Sequence, residues 1–263
     1  MIDTHCHLTF PDFQEPRYPG GVGAVLERAV KEGVAGAITI STTTRDCLTA
    51  LEVAERFPNV WCSAGVHPLY SHQGPHEWAD LRKVAASPKC VAWGELGLDN
   101  HYTGPHRDVQ HEVLEEQLAF IASCAKEGIN KPVVIHCREA FDDLIPVLKR
   151  SSLDLTRLVF HCFTGTVADA RKVLDLGSWI SFTGVVTYKN AAEVQEAARL
   201  TPGDRITIET DAPFLSPDPH RGVRPCEPWM SAVTARKVAE LRGEPWDAFH
   251  ARINDNSRRF FGV

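Results

Sequence analysis

Residues 132–163 read PVVIHCREAFDDLIPVLKRSSLDLTRLVFHCF. An apolar, β-branched run ends in His136 and Cys137, an amphipathic stretch follows over 140–150, and a second apolar run over 158–163 contains His161 and Cys162. This succession predicts a strand, a helix and a second strand parallel to the first, because parallel neighbours need a crossover connection and a helix usually supplies it. The alternation continues in both directions. Strand patterns fall at 1–8, 35–41, 60–66, 90–96, 132–137, 158–163, 178–184 and 205–210, with helical patterns at 22–32, 45–57, 78–86, 109–127, 140–150, 168–176 and 191–200. Roughly eight such repeats predict a (β/α)8 TIM barrel, and helical patterns at 228–242 and 245–260 would close its outer ring. A doubly wound open sheet is the competing architecture, but no GxGxxG turn follows the first strand. The Pro- and Gly-rich stretch 212–228 reads as a loop above the barrel, so residues 1–263 are expected to form one domain.

Composition narrows the function classes. With 263 residues, 43% of them hydrophobic, the chain can bury a substantial core. A formal charge of -6 excludes a broadly basic surface of the kind that coats nucleic acid, so any such contact must be confined to a cleft. There is no run of about 18 apolar residues to span a membrane and no basic start leading into an apolar segment. A cytoplasmic protein is the expectation. The eight cysteines are scattered without CxxC pairs in a chain that needs no covalent staples, and they read as reduced thiols.

The residues that carry chemistry sit near the expected strand ends: His5 and His7, Glu95, His136, His161 and Asp211. Barrel active sites form on that face. In His5-Cys6-His7 the period of a strand sends both imidazoles one way and Cys6 the other. Glu95 lies between Gly94 and Gly97, which are expected to let metal and substrate approach closely, and its two oxygens could bridge two cations. The same alternation places Cys137 and Cys162 beneath the helices, away from His136 and His161. Taken singly, each residue has a structural reading, as a hydrogen-bonded core histidine, a buried ion pair or a loop cap. Their convergence favours a mixed nitrogen and carboxylate site for two divalent ions, Zn, Mn or Mg. Such a pair activates water, fixes a phosphoryl group and stabilises the leaving oxygen.

Six blocks, His5-Cys6-His7, Gly65-Val66-His67-Pro68, Gly94-Glu95-Leu96-Gly97-Leu98-Asp99, His136-Cys137-Arg138, His161-Cys162-Phe163-Thr164-Gly165 and Glu209-Thr210-Asp211-Ala212-Pro213, resemble, in order and nearly end to end, the TatD metal-dependent deoxyribonucleases. The resemblance implies a TIM barrel of the amidohydrolase type, dependence on divalent metal and hydrolysis of DNA phosphodiesters. It also implies one ion held by His5, His7, Glu95 and Asp211 and another by Glu95, His136 and His161. Asp211 is then the candidate general base, and His67 a contact to the scissile phosphate. One departure stands out: the family's Arg-Asn-Glu-Pro is replaced here by Arg224-Pro225-Cys226-Glu227-Pro228, which is expected to alter that loop.

Arg138, Arg221 and Arg224 are candidates for phosphate contact, and Phe163, Phe214, Tyr188 and Trp229 for stacking on an unpaired base. An acidic protein with a locally cationic cleft is expected to act on DNA single strands or ends. The rival on the same scaffold is a metal-dependent amidase or esterase for a small molecule. The fifth strand, however, has no Lys at the ligand position that could become a carbamylated bridge. A non-catalytic adaptor stabilised by metal is the remaining alternative.

Overall fold

A computed structural model describes residues 1–263. Its eight strands are β1 (Ile2–Cys6), β2 (Gly36–Thr39), β3 (Val60–Ala64), β4 (Cys90–Asp99), β5 (Val133–Arg138), β6 (Leu158–Phe160), β7 (Trp179–Phe182) and β8 (Ile206–Ile208). They pair in sequence order, each parallel to the next. The interleaved helices are α1 (Gly21–Lys31), α2 (Thr44–Arg56), α3 (Trp78–Ala85), α4 (Arg107–Lys126), α5 (Phe141–Arg150), α6 (Val167–Asp175) and α7 (Ala192–Leu200), followed by α8 (Ser231–Arg242) and α9 (Trp246–Phe261). The expected TIM barrel is therefore the architecture. No helix is long and apolar enough to cross a membrane.

Local chemistry starts several of these helices. The Thr43 hydroxyl accepts from Asp46 N at 3.0 Å to cap α2, and Thr166 with Asp169 forms a reciprocal capping box on α6. In α9, Phe249, Ile253 and Phe260 recur on one buried face, as helical spacing requires. Strand alternation divides the core. Val134 and Val159 pack with Ile38 and Ala92, whereas Val133, Ile135, Leu158 and Phe160 join the larger cluster beneath the helices. His136 continues the first set by two residues within β5, which aims it into the barrel mouth, and His161, just past the end of β6, is held beside it by its N–H donating to the Ile135 carbonyl at 3.0 Å.

The sheet closes between β8 and β1 through side chains and the chain beyond β8. The Thr4 hydroxyl donates to the Ile208 carbonyl at 3.1 Å. The buried Asp3 carboxylate accepts from Thr210 N at 2.9 Å and from the Thr210 hydroxyl at 2.6 Å. Asp211 N then donates to the His5 carbonyl at 2.9 Å, and His7 N to the Ala212 carbonyl at 2.7 Å. The closure thus sets Asp211 beside His5 and His7.

Three expectations change. His7 and His161 lie in chain that has already left the strand, because β1 and β6 stop earlier than their apolar patterns; β8 likewise ends at Ile208, short of its pattern. Glu95, by contrast, lies in the middle of β4, which runs on to Asp99. The glycines around Glu95 make room for neighbouring strands rather than for a ligand. A Cβ on Gly94 would stand 2.3 Å from the Val134 carbonyl oxygen, and one on Gly97 would stand 1.9 Å from that of His136. Both have positive φ, +105° and +150°, and β4 and β5 shift register between Trp93 and Leu96.

Candidate metal centre

Glu95 is buried at the centre of the mouth, and its two oxygens face different histidines. Oε2 lies 3.3 Å from His5 Nε2 and 3.9 Å from His7 Nε2. Oε1 lies 2.5 Å from His161 Nε2, 2.6 Å from His136 Nδ1 and 3.2 Å from His67 Nε2. Asp211 joins the first group, with Oδ1 3.5 Å from His5 Nε2 and 3.3 Å from His7 Nε2. The structure therefore brings together all six residues proposed from sequence as ligands, with His67 as a seventh member.

In His7 and His136 the hydrogen bond of the outer nitrogen sets the inner one. His7 Nδ1 donates to the Ile40 carbonyl at 3.0 Å, leaving the Nε2 lone pair aimed at the two acids. His136 Nε2 donates to Asp99 Oδ2 at 2.9 Å, leaving Nδ1 toward Glu95. His161 Nδ1 faces Glu209 Oε1 at 3.3 Å. Glu209 is itself held by Cys162 N at 2.6 Å and the Ser181 hydroxyl at 2.6 Å. His67 is arranged differently: its Nδ1 accepts from Leu69 N at 3.0 Å, so in the neutral ring Nε2 carries the proton and is a donor.

Charge follows burial and neighbours. Burial alone would raise the Glu95 carboxyl, but the surrounding His161, His67 and His5 and the hydrogen bond to His136 hold it well below the usual range. Burial likewise opposes ionisation of Asp211, and its His7, His5 and His161 neighbours outweigh it. Burial, reinforced by His136, lowers His67 to about 4 despite Glu95. Two ionised acids and a neutral His67 thus face the mouth at neutral pH.

These donors fit divalent cations. Both ring nitrogens of the fully buried His5 lack a hydrogen-bond partner. His136 Nδ1 lies 3.3 Å from His161 Nε2. Nitrogens and oxygens held about 2.0–2.2 Å from one ion stand roughly 3 Å apart, so this crowding is what a shared cation requires. His5, His7 and Asp211 form one such group, and His5, His161 and Glu209 another; His67 also closes on Glu95 and His136, but its Nε2 carries a proton and so meets them as a hydrogen-bond donor rather than a ligand.

Above these residues lies a cavity of about 630 Å³, whose wall includes Phe10, Tyr70, Asp99, Tyr102, Arg138 and Phe214. Among the arginines proposed for phosphate contact, Arg138 lines it; Arg221 and Arg224 are exposed outside it, over the rings of Tyr188 and Phe214. Phe214 lines it, but Tyr188 and Trp229 do not. Phe163 is buried against Phe141 and Phe182 and has no face for a base. Cys162 also departs from expectation. Because β6 ends at Phe160, strand alternation no longer governs it, and it lines the cavity at φ +44°. Cys137 packs with the helix-side core as expected, although it also touches the cavity. The altered loop buries Glu227, which accepts from Arg28 Nη1 at 2.8 Å, tying it to α1 rather than to the mouth.

Asp99, Glu209, Phe10, Tyr70 and Tyr102 were not singled out from sequence. Asp99 ends the Gly-Glu-Leu-Gly-Leu-Asp block and Glu209 precedes Asp211 by two residues, a signal that buried acids beside ligands orient them.

A family model described as TatD related DNase matches residues 2–262. The chain is 36% identical over 263 residues to the "Uncharacterized metal-dependent hydrolase YcfH" of Escherichia coli (strain K12), covering 100% of this chain and 96% of the relative. It is 34% identical over 269 residues to the "3'-5' ssDNA/RNA exonuclease TatD" of Erwinia tasmaniensis, covering 100% of both. Among solved structures, the TatD homolog YJJV from Escherichia coli k12 matches with a TM-score of 0.88 at 30% identity, over 100% of this chain and 98% of that one.

Proposed function

The chain belongs to the TatD family of metal-dependent hydrolases, and from that membership we propose that it cleaves DNA phosphodiester bonds at single-stranded ends, using two divalent ions. The observation that carries this reading is the division of Glu95, whose Oε2 faces His5 and His7 while its Oε1 faces His136 and His161. His5, His7, Asp211 and Glu95 would hold one ion, and Glu95, His136 and His161 the other. Zn, Mn and Mg all suit such a donor set. When bound, the ions supply Lewis-acid activation of water and charge stabilisation at the phosphoryl oxygens.

The chain's own residues supply the rest. Asp211, ionised and on the cavity wall, accepts the proton of the attacking water. The Nε2 proton of neutral His67 is offered to a non-bridging phosphate oxygen. Arg138, on the opposite rim, adds positive charge for the phosphate. Attack at the end of a single strand is the reading that the exonuclease name of the Erwinia tasmaniensis relative supports. The eight free cysteines suit a reducing, cytoplasmic setting, with residues 1–263 acting as one barrel domain.

Metal-reconstituted protein should be assayed on single-stranded DNA, duplex DNA, RNA, a chromogenic phosphodiester and an amide panel, with chelator controls. Single-stranded DNA should be degraded from an end. Amide turnover without phosphodiester turnover would remove the reading.

A further inference from the structure

Few large apolar side chains are exposed on this protein: Val30, Tyr102, Phe214 and Val223. Two of these, Tyr102 at 50% exposure and Phe214 at 38%, line the metal-site cavity. Tyr102 follows β4 and packs with Arg138 of β5, whereas Phe214 follows β8 beside β1. In a barrel whose strands run in the order β1 to β8, those pairs of strands lie across the mouth from each other. A guanidinium backs each ring: Arg138 is 5.2 Å from the Tyr102 centroid and Arg224 is 5.6 Å from that of Phe214. Arg138 Nη1 also donates to the Tyr102 hydroxyl at 3.4 Å, which steadies that ring.

We propose that Tyr102 with Arg138 and Phe214 with Arg224 are two facing base platforms, which seat the planar bases on either side of the scissile phosphate. The guanidinium beside each ring, with the His101 ring 5.0 Å from Tyr102 and nearly perpendicular to it, preorganises these half-exposed aromatics for a flat ligand at little entropic cost. Bases stack on such rings regardless of sequence. The acidic floor of Glu95, Asp99 and Asp211 offers no attraction for a bare phosphate in the absence of cations, so affinity for the rest of the substrate must come from the rim. Phe10 supports the second platform, its ring 6.0 Å from Phe214 and edge-on to it. The ligand class is thus a phosphodiester joining two heteroaromatic nucleosides. This inference rests on the nuclease reading and gives that reading its substrate contacts.

The test uses four dinucleotides: one intact, one abasic on the 5' side, one abasic on the 3' side and one abasic on both. With the metal-loaded wild-type chain, each missing base should lower kcat/KM by about tenfold. Tyr102→Ala should erase the penalty for one missing base and Phe214→Ala the penalty for the other. Tyr102→Phe and Phe214→Tyr should keep both penalties, which separates loss of a platform from misfolding. Equal wild-type rates on all four, or alanine variants that keep both penalties, would overturn the platforms while leaving the nuclease reading in place. Cleavage of none of the four overturns the nuclease reading and the platforms with it.

Discussion

Asp99 Oδ2 stands 2.9 Å from His136 Nε2, on the side of the imidazole away from Glu95. Burial opposes its ionisation, but the His136 hydrogen bond and charge hold the Asp99 carboxyl below its usual range, so it is an acceptor that fixes the proton on Nε2. Asp99→Ala should therefore weaken binding of one of the two ions by about 10–100-fold, while the other is held as before. Calorimetric titration with Zn or Mn resolves the two sites. Two sites of unchanged affinity would show that Asp99 orients nothing.

The contrast between Glu95 and Asp99 shows how far the sequence could be read. Glu95 was legible because its neighbours are strand residues and a carboxylate among histidine-bearing strands implies a bridge. Asp99 was not, since its partner depends on the β4–β5 register, in which Gly97 pairs with His136 and Asp99 with Arg138. Register is a relation between two strands and cannot be read from either alone. Cys162 was misplaced for a related reason: an apolar run marks a strand but not the residue at which its hydrogen bonds stop. Tyr102 was missed because it lies in a loop, where no periodicity says which way a ring faces.

His67 should behave as a neutral donor. His67→Ala should keep both ions but lower kcat by about 10²–10³-fold, the usual effect of removing one transition-state donor. In the metal-free protein its ring should stay unprotonated down to a pH of about 4, which nitrogen-15 NMR of the imidazole reports directly. The sign of its stability effect follows: an unfolded histidine takes up a proton near 6.5, so between there and about 4 the unfolded chain binds the extra proton and is favoured. Metal-free His67→Gln should consequently lose less stability than wild type between pH 7 and pH 5. A wild-type imidazole titrating near 6.5 would contradict the assignment.

Gly97 is a packing requirement with a consequence for the site. An alanine there would bring its Cβ within 1.9 Å of the His136 carbonyl oxygen and would also hold a positive φ. The strained backbone alone costs about 1–3 kcal/mol, and the clash adds to it by pushing β5 away from β4. Gly97→Ala should lower the unfolding free energy by more than about 3 kcal/mol in urea, and the folded fraction should bind metal more weakly because His136 moves with β5. Gly128→Ala is the comparison, since it shares a positive φ but has nothing within 4 Å of the added carbon. If the two variants lose equal stability, the close approach of the strands is not what Gly97 serves.

Metal should stabilise the barrel as well as serve the reaction. The unpartnered nitrogens of the buried His5 cost free energy in the folded metal-free chain, and cations relieve that cost only where the donors are assembled. At a hundredfold excess over Kd, one ion adds about 2.7 kcal/mol, which for a chain of this size raises Tm by about 5–10 °C. Glu95→Ala removes the carboxylate that both groups of histidines face, so its Tm should be insensitive to added Zn or Mn even if its starting stability differs. Calorimetric scans of wild type and variant, each with chelator and with excess metal, compare the shifts rather than the absolute values. An equal shift in both would mean that the ions bind elsewhere, since no other carboxylate in the mouth touches both sets of imidazoles as Glu95 does.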